Sequence, residues 1–231
     1  DQNIGRVLKT LDDLAIANNT VILFLSDNGG CTEEPGGRDD TRQPGIVSTY
    51  TAVGPAWGWA QNTPFRRYKS WVHEGGISTP LIVRWPGQVK ASKMTGQLGH
   101  IIDVLPTCLE IAGGKHLAEI NGEKTKPLEG HSLLPVLRGE TRPPPEELCW
   151  EWSGNCAIRH GQWKLAWDTL NKAQKWELYD IEADRTELND LAVRMPEKVA
   201  ELKAAYERWA KSTGRKIPVP GQKTKKSKTE D

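Results

Sequence analysis

The sequence predicts an α/β unit followed by a smaller α+β unit, the latter an antiparallel sheet with a C-terminal helix. Three observations carry that expectation. Ile4, Val7, Leu8, Leu11 and Leu14 recur at helical spacing and lead into an unbroken apolar run at residues 20–25, the pattern of a helix followed by a strand covered on both faces. Asp27, Asn28, Gly29 and Gly30 follow that run, and polar residues just past a buried strand lie where open α/β sheets place their ligands. After Pro143, Pro144 and Pro145 the pattern changes to short alternating pieces and then one helix. The expected organisation is 1–145 for the first unit, 146–214 for the second, and a Lys-rich, solvated tail at 215–231.

Asn18 and Asn19 end the first helix, and the strand at 20–25 follows. Residues 31–62 show no sustained period and are rich in Gly, Pro and Thr, so a long functional loop is expected there. A second strand at 80–85, stopped by Pro86 and Gly87, is expected to join the first in one parallel sheet. Asp103 reads as the N-cap of a helix with Pro106 in its first turn, and Gly113 and Gly114 end it. Residues 114–145 read as loops. Strands are expected at 148–152, 156–159, 163–167 and 176–180. Pro196 then opens a helix with Val199, Leu202, Tyr206 and Trp209 on one face. Trp150, Trp152, Trp163, Trp167, Trp176 and Trp209 are expected to pack inside these elements.

With 231 residues, 37% of them hydrophobic, the chain is long enough to bury a sizeable core. Its 31 Lys plus Arg against 30 Asp plus Glu leave a net charge of +1, so no basic field exists to hold nucleic acid and no such partner is expected. No apolar run reaches the ~18 residues of a membrane span. Cys31, Cys108, Cys149 and Cys156 form no CxxC pair and are too sparse for a disulfide scaffold.

Asp27 and Asn28 offer a carboxylate and an amide oxygen side by side, the donor types that hard divalent cations choose. The same letters also make a tight turn, so the pair alone carries little. A second motif, within residues 62–80, combines Lys69, His73, Glu74, Gly75, Gly76 and Pro80.

On these residues the chain resembles the sulfatase family. The strand ending in Ser26, Asp27, Asn28 and Gly29, then Lys69 five residues before Glu74, Gly75 and Gly76, then the 80–87 segment, stand in that family's downstream order. The likeness continues through Gly99, His100 and Asp103, through Gly130 to Pro135 and through Trp176 to Asp180, and reaches about Trp209. It implies an incomplete alkaline-phosphatase-like sulfatase large domain followed by the small α+β subdomain. It also implies that Asp27 and Asn28 ligate a divalent metal, Ca²⁺ ahead of Mg²⁺, and that Lys69 holds the sulfate. The physics agrees, because a metal and a fixed ammonium stabilise the charge that develops on a transferred sulfuryl group. His73 is a catalytic candidate, to hydrogen-bond a sulfate oxygen or to donate a proton to the leaving group, with a structural role weighed slightly ahead of either. Trp57 and Trp59, between Asn28 and Lys69 in the chain, are candidate walls of the substrate pocket.

Sulfatases use a formylglycine made from a Cys or Ser in a Cys/Ser-x-Pro/Ala-x-Arg motif, and no cysteine or serine here fits it. The expectation is therefore a carboxyl-terminal half of a sulfatase, with the formylglycine and further acidic ligands in an upstream half, and no turnover from this chain alone. The expected substrate is a sulfate ester, aryl or carbohydrate. Two alternatives stay open: a phosphomonoester or phosphodiester hydrolase using the same cation logic, and a non-catalytic glycan-binding module built on Trp57 and Trp59.

Overall fold

The computed structural model describes residues 1–33, 53–169, 175–215 and 217–218. Most of the tail expected at 215–231 and the larger part of the loop expected at 31–62 lie outside the described residues. Along the chain the elements are α1 (Gln2–Asp13), β1 (Ile22–Leu25), α2 (Gly54–Gln61), α3 (Glu74–Ile77), β2 (Leu81–Arg84), α4 (Val104–Ile111), β3 (Glu119–Ile120), β4 (Glu123–Lys124), α5 (Leu134–Leu137), β5 (Glu147–Trp152), β6 (Asn155–His160), β7 (Trp163–Trp167), β8 (Trp176–Asp180) and α6 (Pro196–Thr213). Contacts divide the chain into two units, residues 1–25 with 80–144 and residues 26–79 with 145–231.

In the first unit β1 and β2 pair antiparallel, with Ile22 opposite Arg84 and Leu25 opposite Leu81. This corrects the parallel pairing expected from the sequence. A continuous apolar run reports that a strand tends to be covered on both faces; it carries no information on the direction of the neighbouring strand. Among the described residues Phe24 and Ile82 of this pair are exposed, as are Val7 and Leu14 of the α1 stripe. Asp103 is the N-cap of α4, as expected, and a 3₁₀ turn over Ile101–Asp103 leads into it. His100 caps that turn: its Nδ1 accepts the Ile102 N–H at 3.3 Å, and Asp103 Oδ2 accepts the His100 N–H at 2.9 Å. Asp103 is buried, and it also accepts the His131 N–H at 2.9 Å and an Arg142 N–H at 2.7 Å. The stretch expected as loops holds α5 and the β3–β4 hairpin, which turns through Asn121 and Gly122 at φ of 54° and 85°.

In the second unit the sheet runs in the order β5-β6-β7-β8, each neighbour antiparallel, with Trp152 opposite Asn155, His160 opposite Trp163 and Trp167 opposite Trp176. The two-residue period sends Cys156, Ile158, Leu165, Trp167, Trp176 and Leu178 to one face, where they pack on Leu202, Ala205, Tyr206 and Ala210 of α6. α6 closes at Gly214, whose φ of 69° suits glycine, and the Arg215 N–H returns to Ala210 O at 2.7 Å. The opposite face is buried as well. It carries Ala157 and Ala166 against Val72, together with Lys164, Glu177 and Tyr179.

Two expectations are corrected in this unit. Trp152 is 62% exposed rather than packed, because it ends an edge strand at the hairpin turn. Part of the stretch read as irregular is α2, with Pro55 in its first turn and Gly58 as its buried residue. Its tryptophans sit two apart and make no helical stripe, so no period betrayed it. Among the described residues no helix is long and apolar enough to cross a membrane.

Candidate functional site

The segments on either side of α2 are laced together at backbone distance. Across α2 the Gly29 N–H donates to Gly76 O at 3.0 Å and the Lys69 N–H to Gly30 O at 3.1 Å, and within the segment that follows α2 the Gly75 N–H donates to Arg66 O at 2.8 Å. Glycine permits this approach. A Cβ would lie 1.8 Å from Gly75 O if built on Gly29, 2.2 Å from Arg67 O on Gly75, and 2.1 Å from Trp71 O on Gly76. Asn62 completes the lacing, because its Oδ1 accepts the Gly30 N–H at 3.0 Å while its Nδ2 donates to Gly58 O at 2.8 Å and Arg67 O at 3.2 Å. One amide side chain thus satisfies three backbone groups.

The lacing brings Asp27, Asn28 and Lys69 onto adjoining stretches of chain. Asp27 is exposed, and Asn28 is half-buried with its Nδ2 donating to Gly29 O at 2.9 Å. Lys69 Nζ pairs with Glu33 Oε2 at 2.8 Å, and Ser70 Oγ donates to Glu33 Oε1 at 3.2 Å. The hydrogen bond it donates to Glu33 holds the Lys69 ammonium above its ordinary range, and Lys69 in turn lowers the Glu33 carboxyl. The oxygen donors of Asp27 and Asn28 fit a hard divalent cation. Among the described residues no group of three or more His, Cys, Asp or Glu is arranged to hold a metal ion.

The loop carrying Lys69 is strained and anchored. Arg67 and Ser70 flank the lysine with φ of 70° and 78°, a left-handed conformation that costs a residue with a Cβ roughly 1–2 kcal/mol. Side chains from the sheet hold them there. Asp168 Oδ2 pairs with Arg67 at 2.8 Å, and Asn155 Nδ2 donates to Ser70 O at 2.9 Å. The Arg67 guanidinium also lies 4.4 Å from the Trp71 ring centroid.

His73 is fully buried at the start of α3. Its Nε2 faces Glu177 Oε2 at 3.2 Å, and because an ionised carboxylate only accepts, Nε2 carries the proton. Its ring meets Tyr179 edge-on at 6.5 Å. Trp57 is 68% exposed, and Trp59 lines an open depression of about 580 Å³ with Pro55, Ala56, Ala60 and Tyr68. Tyr68 directly precedes Lys69, so this aromatic depression adjoins the lysine along the chain.

Glu33, Arg66, Lys164, Glu177 and Glu187 escaped the sequence reading. Lys164 Nζ, fully buried, lies 2.9 Å from Glu74 Oε1 and 2.8 Å from Glu187 Oε1. The one available signal was the two-residue period, which puts Lys164 and Ala166 on one face of β7 and Glu177 and Tyr179 on one face of β8.

A family model described as Sulfatase matches residues 1–114, and one described as N-sulphoglucosamine sulphohydrolase, C-terminal, matches residues 65–211. A Schizosaccharomyces pombe protein named "Uncharacterized sulfatase" is 31% identical over 224 residues, covering 87% of this chain and 40% of that protein. Human N-acetylgalactosamine-6-sulfatase is 32% identical over 137 residues, 59% of this chain and 21% of that enzyme. The crystal structure of Ps i-CgsB in complex with k-i-k-neocarrahexaose is similar at a TM-score of 0.65 and 25% identity, over 90% of this chain and 40% of that one. The chain therefore spans about 40% or less of the length of these relatives. With its backbone-laced glycine motifs, its sheet and its C-terminal helix matched over more than half its length, the chain belongs to the sulfatase family and carries part of the alkaline-phosphatase-like fold.

Proposed function

We propose that this chain supplies the cation-binding and sulfate-binding portion of a sulfuric ester hydrolase. Asp27 and Asn28 are two ligands of a divalent cation, and Lys69 is the partner of the sulfate. The observation that supports the reading is the pair of backbone bonds Gly29 to Gly76 and Lys69 to Gly30, which sets the three residues on adjoining strands of chain. A carboxylate beside an amide oxygen suits Ca²⁺ better than Mg²⁺, because Ca²⁺ accepts many oxygen ligands in flexible geometry. Such a cation, when bound, supplies Lewis-acid charge at the sulfate. Lys69 adds a compact positive charge, and in the present arrangement the Glu33 carboxylate occupies the place on its ammonium that a sulfate oxygen would take.

His73, buried against Glu177, supports the segment rather than serving as a proton donor. Trp57 and Trp59 wall the substrate side. Their exposed aromatic faces, together with relatives named for N-acetylgalactosamine 6-sulfate and solved with neocarrahexaose, favour a carbohydrate sulfate over an aryl sulfate. The nucleophile, a formylglycine, lies upstream of this sequence, and the chain by itself turns over no substrate.

The test is Lys69→Ala in the full-length protein that contains this sequence, assayed on carbohydrate and aryl sulfates and on phosphate esters in parallel. Loss of a charge aimed at the transition state lowers kcat/KM on the sulfate ester by roughly 10²–10³-fold. Near-normal kinetics remove Lys69 from the site, and a preference for phosphate esters moves the chain to the phosphatase reading. Calorimetric titration with CaCl₂, with Asp27→Ala as the comparison, tests the cation ligands; equal affinity in both proteins removes Asp27.

A further inference from the structure

We propose that Glu177 is a positioning residue for Lys69: one of its carboxylate oxygens ties together the two ends of the segment 66–73 that carries the lysine. The inference rests on the reading of Lys69 as the sulfate partner. Oε2 of Glu177 accepts from Arg66 at 3.1 Å and from His73 Nε2 at 3.2 Å, and the Tyr179 hydroxyl donates to the same atom at 2.8 Å. The Tyr179 oxygen in turn accepts from Arg66 at 2.6 Å. Arg66 opens the segment and His73 closes it, so both hinges of the lysine loop end on a single strand, β8.

Hydrogen bonds to an ionised group inside the protein are stronger than neutral ones. Burial pushes the Glu177 carboxyl up, and hydrogen bonds from His73 and Tyr179 with the Arg66 charge more than offset it, bringing it down to about 2. The carboxylate is therefore ionised at any ordinary assay pH. The loop needs such a tie, because Arg67 and Ser70 hold left-handed conformations that a free loop would abandon. The sheet itself does not depend on it. Its apolar face, with Ile158, Leu165 and Leu178 against Leu202 and Tyr206, is separate from the face that bears Glu177.

The variant is Glu177→Gln in the full-length protein, which keeps the side-chain shape and removes the charge. Deuterium exchange of peptides covering 66–76 should quicken about tenfold, while peptides covering 155–167 stay within about twofold. In the same variant kcat/KM on the sulfate ester should fall roughly 10–100-fold, as for a misplacement on the ångström scale. That fall should vanish in the Lys69→Ala background, since a residue acting through Lys69 has nothing left to position. Tyr179→Phe, a milder change, should move exchange and kinetics in the same direction and serves if Glu177→Gln does not fold. Unchanged exchange in 66–76, a rise shared equally by 155–167, or a full additional loss of activity on top of Lys69→Ala would each overturn the proposal. A wild-type protein inert toward sulfate esters overturns the reading of Lys69, and the exchange comparison then judges the tie by itself.

Discussion

Replacing Lys164 with methionine strips the cation from a buried triad in which one ammonium faces two carboxylates. Lys164 Nζ sits 2.9 Å from Glu74 Oε1 and 2.8 Å from Glu187 Oε1, and Glu187 Oε2 accepts the Glu74 N–H at 2.8 Å. Burial pushes the Lys164 ammonium down, and the two carboxylates more than offset it, leaving it raised. Burial likewise pushes the Glu74 carboxyl up, and Lys164 together with the Arg185 and Arg159 charges more than offsets that, leaving it below 4.5. Methionine keeps an unbranched apolar stem in the same slot, so the change is chiefly one of charge. It leaves Glu74 and Glu187 buried against each other, with Arg185 at 3.5 Å from Glu74 Oε2 as a remaining neighbour. Removing one partner of a buried ion pair costs about 3–5 kcal/mol. At about 2–4 °C per kcal/mol for a chain of this size, Tm should fall by roughly 10 °C.

The pH dependence of that loss has a definite sign. A carboxyl depressed in the folded state contributes stability that is present above its unfolded value and lost as pH falls through the folded value. For Glu74 the ordinary value is 4.5, so the wild-type advantage is complete near neutrality and erodes below that point. In Lys164→Met the carboxyl has lost its cation and takes up a proton more readily. The gap between the two proteins should therefore be widest near neutral pH and narrow under acid. Denaturant unfolding followed by tryptophan fluorescence across that range measures it. A gap under about 1 kcal/mol at neutrality, or one that does not narrow with acidification, would refute the reasoning.

Gly76→Ala should destabilise the chain by about 1–3 kcal/mol, because the new Cβ meets backbone oxygens of Trp71 at 2.1 Å and Tyr68 at 2.6 Å that have no room to swing aside. The denaturant midpoint reads the cost, and an unchanged midpoint would mean the backbone ladder to Gly29 is not closed in solution. Glu33→Gln in the full-length protein should lower KM for the sulfate ester several-fold, since it frees the Lys69 ammonium from a competing carboxylate 2.8 Å away. Because Lys69 keeps Glu33 ionised below its ordinary value, this advantage should persist down to about pH 4.5 and shrink beneath it. Equal KM in the two proteins would separate Glu33 from the substrate.

Much of this architecture was legible in the residues. Four short alternating pieces became β5 to β8, and Pro196 with Val199, Leu202 and Tyr206 became α6, because a local period reports directly which side chains share a face. The glycines of the two motifs were legible as a family pattern, and the structure supplies their physical reason in the 1.8–2.2 Å approaches that forbid a Cβ. The ionic anchors were not legible. His73 and Glu177 are 104 positions apart and Arg67 and Asp168 are 101, and no local period couples such partners. Alternation such as that of Trp163 to Trp167 reads as a sheet with one polar, solvated face. Here that face is covered, and Lys164, Glu177 and Tyr179 on it are buried.

The antiparallel pairing of β1 and β2 changes how the lysine segment reaches the metal-ligand candidates. A parallel pair would need the chain between them to cross over and start again from the opposite end. In the first unit, Leu25 instead lies opposite Leu81, so the chain that leaves β1 and the chain that enters β2 do so at the same end of the ladder. In the second unit, the Thr79 hydroxyl donates to Ser26 O at 2.8 Å and the Gly29 N–H to Gly76 O at 3.0 Å. The excursion from 26 to 79 is thus closed at its base, with Asp27 and Asn28 on the outgoing limb and Gly75 and Gly76 on the returning one. Closing a loop of that length costs only slowly growing entropy, so the pairing is inexpensive once the limbs are zipped. What the zipper cannot do is choose where the segment 66–73 lies. That choice falls to Glu177, Asp168 and Asn155, which hold Arg66, Arg67, Ser70 and His73 against the polar face of the sheet. Register at the base comes from glycine backbone, and placement of Lys69 comes from side chains about a hundred positions downstream, so lesions in the two should separate: Gly76→Ala should open the base, and Glu177→Gln should free the loop while the Gly29 to Gly76 bond stays closed.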